Sequence, residues 1–225
     1  AGGMSEIYQE GLRIPVVKLF SRGELQTDIM DLILLNVRAP EERRGDHNAQ
    51  IASCNLGSRR FHEVVNAYGL ANVLVAFDEI IARTSKRMRL AFTEIPDGTY
   101  HFEDFMDGDG IDTFDIPIRL ALTVAGDTIS FDFAGTSPQV GGNINTTMNA
   151  VQASVSYALI AVLDSDIPSN QGVLDVVEIK AEPGTILNSV FPAPVAARAH
   201  TCQRAIDVVL GALSQALPDK VIAAA

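Results

Sequence analysis

Pro96-Asp97-Gly98 divides this chain into two stretches whose apolar residues repeat with different periods. Upstream, from about residue 25 to 95, the spacing is helical. Downstream, apolar and polar residues alternate, which is the pattern of half-buried strands. A chain with that switch cannot be all-helical or all-β. The expected class is α+β: a long antiparallel helix pair followed by a mainly antiparallel sheet with packed helices. The expected division is 1–95, an extended entry segment and helical pair, and 96–225, a mixed sheet and helix region. Both read as one continuous piece of a larger protein.

The helical half has clear punctuation. Residues 14–20, IPVVKLF, read as a short strand before Arg22-Gly23. Thr27 or Asp28 can cap a helix running to Asn36. Pro40 with Glu41 and Glu42 makes a good helix start, since proline suits the first turn and acids suit the positive end of the dipole. That helix is expected to stop at Gly69, beyond Tyr68. A second runs from about Ala71 to Arg89, with Val73, Phe77, Ile80, Ile81, Thr84 and Met88 at roughly helical spacing. The short connection implies that the pair is antiparallel.

In the second half, Tyr100–Met106 alternates aromatic and acidic residues. Asp107-Gly108-Asp109-Gly110 reads as a solvated turn; it lacks the terminal glutamate of a calcium loop. Phe114–Val124 and Thr128–Phe133 flank Ala125-Gly126-Asp127 as a hairpin. A helix over about Met148–Leu163, a strand over Val176–Ala181 and a last helix over about Thr201–Leu217 complete the reading.

Composition bounds the function. The 225 residues are 47% hydrophobic and 20% charged, ordinary values for a globular protein, and the net charge is −11. Such a surface repels phosphate backbones, so no nucleic-acid partner is expected. No apolar stretch is long enough to span a bilayer, so no membrane partner is expected either. Two cysteines, Cys54 and Cys202, make a disulfide framework improbable and point to a reducing compartment, the cytoplasm. Cys54 reads as mid-helix packing. Cys202, near a helix start between His200 and Arg204, is either a reactive thiol or a small packed residue.

No phosphate-cradling motif, nucleophile elbow or zinc-type spacing of His47, His62, His101 and His200 occurs. The feature that remains is residues 131–147, FDFAGTSPQVGGNINTT. Small, uncharged hydrogen-bonding residues follow a strand. Gly141-Gly142 allows close approach of another backbone or a ligand, and Asn145, Thr146 or Thr147 can cap the next helix. The loop is either a corner or one wall of a polar site.

GGMSEIYQEGLRIPVVKL, NVRAPEERRGDHNAQIASCNLGSRRFHEVVNAYG, FDFAGTSPQVGGNIN and HTCQRAIDVVLGALSQALPD occur in this order. Together they resemble the hydantoinase B/oxoprolinase family over nearly the whole chain. The resemblance implies a metal-dependent hydrolytic B-type subunit of an ATP-dependent ring-opening amidohydrolase. Substrates would be hydantoin, 5-oxoproline or related lactams. It implies an ATP-binding hydantoinase A-type subunit or domain as partner, with ATP held there. That partner would phosphorylate the amide oxygen, and water on a divalent metal would attack. The family's metal motifs lie upstream of the matched region, so no metal ligand and no catalytic residue is assignable here. From residue chemistry alone, Thr136, Ser137, Gln139, Asn143 and Asn145 are candidates to orient substrate or an oxyanion. His200 and Arg204 join them if the last helix packs beside the loop. A segment of an acetone- or acetophenone-type carboxylase, or a non-catalytic scaffold and subunit-interface segment, are the alternatives.

Overall fold

A computed structural model describes residues 3–221. They form two compact units, residues 11–78 and a larger one made of the N-terminal segment to Glu10 with the chain from Glu79 onward. The division falls inside a helix.

In the smaller unit, a hairpin of β1 (Phe20–Ser21) and β2 (Glu24–Leu25) turns through Arg22 and Gly23, both at positive φ. The expected strand over 14–20 is therefore displaced to its last residue, because the pairing begins only beside that turn. Helix α1 (Thr27–Leu35) buries Met30 and Leu34. Helix α2 (Pro40–Tyr68) starts and stops at the expected residues, and no residue of it is buried. Cys54 is accordingly exposed rather than packed. Gly69, at φ +80°, ends α2 in a conformation that costs glycine little. Helix α3 (Leu70–Phe92) follows at once. The two axes bend by 107° at the break. The chain does turn back, but into a V, not into a closely packed antiparallel pair. A one-residue connection leaves no length to bring the axes alongside. Phe61 and Phe77 stack across the V with ring centroids 6.2 Å apart. No single helix among the described residues is long and apolar enough to cross a membrane.

The larger unit is built on a four-stranded sheet in the order β3 (Gly98–Gly108), β4 (Phe114–Ala125), β5 (Thr128–Asp132), β6 (Val177–Lys180). The first two pairings are antiparallel and the last is parallel. This bears out the α+β class and the mainly antiparallel sheet. Alternation along β4 sends Ile116, Ile118, Leu120, Leu122 and Val124 to the buried face and leaves Arg119 exposed. Leu122 pairs with Phe131, which pairs with Ile179, so the core row crosses three strands. Helix α6 (Arg198–Ala216) packs on β3 and β4, and α4 (Met148–Leu163) packs on α6. Val151, Val155, Leu159, Val208, Val209 and Leu213 close the core. The parallel pair exists because the chain leaves β5 and returns through the loop, α4 and the short helix α5 (Gln171–Leu174) before entering β6.

The C-terminal part of α3 is anchored in this unit. Met88 and Phe92 are fully buried. Ser85 donates to the carbonyl of Gly172 at 2.9 Å, and the Asn170 amide donates to Thr84 Oγ1 at 2.9 Å. A Cβ on Gly172 would lie 2.4 Å from the carbonyl oxygen of Ile81. Gly172→Ala is expected to destabilise the chain by about 1–3 kcal/mol, because backbone atoms rather than a flexible side chain must shift. Urea denaturation at equilibrium checks this.

Candidate functional site

The loop after β5 is held by hydrogen bonds within itself, to the strap at residues 181–197, to β4 and to Asp109. Thr136, buried, accepts from the N–H of Arg119 at 3.1 Å and donates to its carbonyl at 3.2 Å, pinning the loop to β4. The N–H of Ser137 donates to Pro117 O, and the N–H of Ile186 to Ser137 O. The half-buried Ser137 hydroxyl reaches only the carbonyl of Pro138, at 3.1 Å. Gln139 bonds the strap at both ends: its N–H donates to Gly184 O, and its Oε1 accepts from the N–H of Val190, each at 2.8 Å.

Asn145 is fully buried and fully engaged. Its Oδ1 accepts from the N–H of Val140, and its amide donates to the carbonyls of Val140, Gly142 and Pro194 at 2.8–3.1 Å. The side chain is a bolt through the loop, so it does not cap α4. Thr147 takes the capping position, with no side-chain bond. Asn143 is the opposite case. It is 1% exposed, and neither its Nδ2 nor its Oδ1 has a hydrogen-bond partner among the described residues. An orphaned buried amide costs about 1–3 kcal/mol.

Asp109 holds the whole loop in place, and it is not in a solvated turn. The residue is 3% exposed. Its Oδ1 accepts from the N–H groups of Ile111, Asp112 and Thr113 at 2.9–3.1 Å, and its Oδ2 accepts from Gly142 N–H at 2.9 Å. The Asp-Gly pair is legible in sequence as a local Asx-type turn; the bond to Gly142, 33 residues on, is not. Burial alone pushes this carboxyl up. The backbone donors of Ile111, Thr113, Gly142 and Asp112 outweigh it and hold the group below the ordinary carboxylate range. A Cβ on Gly142 would sit 2.0 Å from Asp109 O, so only glycine fits there.

A second carboxylate braces the strap. Glu10 Oε1 accepts from the N–H groups of Val195 and Ala196 at 2.5 and 2.6 Å. Helix α6 starts on the loop itself: Ala197 N–H donates to Asn143 O at 2.8 Å, and Thr201 Oγ1 donates to Ile144 O. His200 lies on that first turn and is exposed. Arg204 pairs with Asp104 of β3. Half-buried Cys202 has its sulfur 3.5 Å from Thr146 Oγ1. The five loop candidates are thus adjacent, with α6 anchored on them, while the Arg204 charge is spent on the sheet. Sequence reasoning missed Asp109 and Glu10. Among the described residues no group of three or more His, Cys, Asp or Glu is placed to hold a metal ion. These residues do not make up the divalent centre that the resemblance implies.

The hydantoinase B/oxoprolinase family model matches residues 1–225. The chain belongs to that family. A protein of Pseudomonas sp. strain NS671, provisionally named as the B-type subunit of a D-/L-hydantoinase, is 34% identical over 97% of this chain and 39% of its own length. The crystal structure of the ATP-dependent caprolactamase from Pseudomonas jessenii superposes with a TM-score of 0.90 at 30% identity, covering 97% of this chain and 38% of that one. Acetone carboxylase in its nucleotide-free form shares the fold, with a TM-score of 0.88 at 18% identity over 98% of this chain and 32% of that one. The chain therefore spans about two-fifths of the length of the hydantoinase relative.

The Asp109 latch sets a pH dependence. Its carboxyl is depressed in the folded chain, so its stabilisation is present above the unfolded value of about 3.9 and is lost as pH falls through the folded value. Asp109→Asn is expected to cost stability at pH 7, since an amide NH₂ would face a backbone donor. The gap between variant and parent is expected to narrow as pH falls below about 4. Thermal melts of both proteins from pH 7 to pH 3 measure it.

Proposed function

We propose that this chain is part of the B-type component of an ATP-dependent amidohydrolase that opens cyclic amides such as hydantoins, 5-oxoproline or related lactams. It would work in the cytoplasm with an ATP-binding A-type subunit or domain. The observation that carries the reading is the match to a caprolactamase at 30% identity and a TM-score of 0.90 over nearly the whole chain. The relative named as one component of a hydantoinase supports the partner.

The chemistry accounts for the need for ATP. A lactam carbonyl is a poor electrophile and its nitrogen a poor leaving group. Transfer of the terminal phosphoryl group to the amide oxygen, with release of ADP, activates the carbon. Water adds there, the C–N bond breaks, and the ring nitrogen takes a proton. A second water releases phosphate from the resulting acyl phosphate. The balance is lactam, ATP and two waters to amino acid, ADP and phosphate. The described residues supply a rigid platform for this work: a loop latched by Asp109 and braced by Glu10. Of the loop candidates for orienting substrate, Asn143 alone keeps both side-chain polar atoms without a hydrogen bond to the described residues. On this reading a divalent metal is held by residues outside this chain.

The likeness of fold to acetone carboxylase favours a second reading, a carboxylase segment. One assay separates them. The complete two-subunit protein is expected to form ADP only when a cyclic amide is present, with one ring opened per ADP and no requirement for bicarbonate. ADP formation that needs a ketone and bicarbonate, with rings left intact, would replace the hydrolase reading by the carboxylase one.

A further inference from the structure

Residues 133–163 carry no charged side chain, in a chain of net charge −11. The second half of that run is α4, whose inner face is in the core. Its outer face has Asn149, Gln152, Ala153, Ser156 and Ile160 at spacings of three, four, seven and eleven residues from the first, so they share one stripe. An exposed helix face is ordinarily charged. This one is not.

The stripe forms one wall of a groove of about 450 Å³, and residues 169–174 form the other. Asn149, Gln152, Ser156, Tyr157 and Ser169 line it, and none of their side chains hydrogen-bonds another described residue. On the second wall, Asn170 and Gln171 are tied to Thr84 and Asp175 and keep that wall in place. Ala153, Ile160 and Leu174 supply apolar patches between the polar groups. Small-molecule sites have volumes of this order.

We infer that this groove binds a small, uncharged cyclic amide through the carboxamides of Gln152 and Asn149. The inference rests on the hydrolase reading and adds to it a binding wall distinct from the loop after β5. The recognition is reciprocal. A carboxamide presents a carbonyl acceptor and an N–H donor in one plane. A lactam, held cis by its ring, presents N–H and C=O along one edge. The two fit as a pair of hydrogen bonds, and the ring methylenes meet Ala153, Ile160 and Leu174. The groove also discriminates. Ring opening produces a carboxylate and an ammonium group. No lining residue can neutralise either charge, and leaving ions unpaired in a partly desolvated groove is costly. The neutral ring is held and the ionised product is released.

Isothermal titration of the complete two-subunit protein, without ATP, tests this with ε-caprolactam and its ring-opened form, 6-aminohexanoate. The ring is expected to bind at least about tenfold more tightly than the open form. Gln152→Glu, a change of the same shape, is expected to weaken ring binding about tenfold while leaving the melting temperature in place. Ser156→Val, which removes one hydrogen-bonding group without adding charge, is expected to weaken it less. Equal binding of ring and open form, no binding of the ring, or unchanged binding by Gln152→Glu would each overturn the inference. ATP-dependent ring opening is assayed in parallel. If rings are opened but Gln152→Glu binds and turns them over normally, the groove is wrong and the hydrolase reading stands. If rings bind with the expected pattern but none is opened with ATP, the hydrolase reading fails and the groove stands.

Discussion

Four backbone N–H groups converge on the carboxylate of Asp109, and the rest of the loop architecture depends on that convergence. Three donors come from the turn between β3 and β4. The fourth, from Gly142, ties that turn to the segment leading into α4. Because the carboxylate is buried, each donor is worth more than it would be in water, and losing one would leave an unpaired group. Gly142 is committed by the same contact, since any side chain would collide with the Asp109 carbonyl.

From that point the bonds run on continuously. Gly142 O takes the Asn145 amide, which also holds Val140 and Pro194. Beyond Pro194, the N–H groups of Val195 and Ala196 are held by Glu10. Ala197 then bonds Asn143 and opens α6, the helix that covers β3 and β4. Segments far apart in sequence, near residues 10, 109, 143 and 195, thus share one polar framework set beside the apolar core. A fully satisfied network of this kind holds one arrangement of its segments. The Asn143 side chain, at its centre and with no hydrogen-bond partner among the described residues, is the exception to that satisfaction.

The division of labour in the larger unit follows from this. Polar residues of the loop that look available in the sequence are committed to the fold: Thr136 and Asn145 wholly, and Gln139 through its Oε1. Apart from Asn143, a row of side chains with no hydrogen bond to another described residue lies one helix further on, along α4 and the segment before α5. The smaller unit differs in kind. Its long helix α2 buries nothing, and Leu56, Phe61, Val64 and Tyr68 remain exposed on it.

By itself the sequence determined the element types and most of their limits. Pro40, Gly69 and Pro96-Asp97-Gly98 act through local backbone geometry, and the change of hydrophobic period separates helices from strands. It also determined the family, because four ordered motifs are spread along nearly the whole length of the chain. Tertiary structure alone decided the rest. The angle at Gly69, the pairing register that begins only at Phe20, the burial of Asp109 and the engagement of Asn145 all depend on contacts between distant segments. A local pattern shows that an aspartate can accept N–H bonds. It carries no trace of a donor 33 residues away, nor of whether an asparagine in a glycine-rich loop turns outward to a ligand or inward to hold its own backbone.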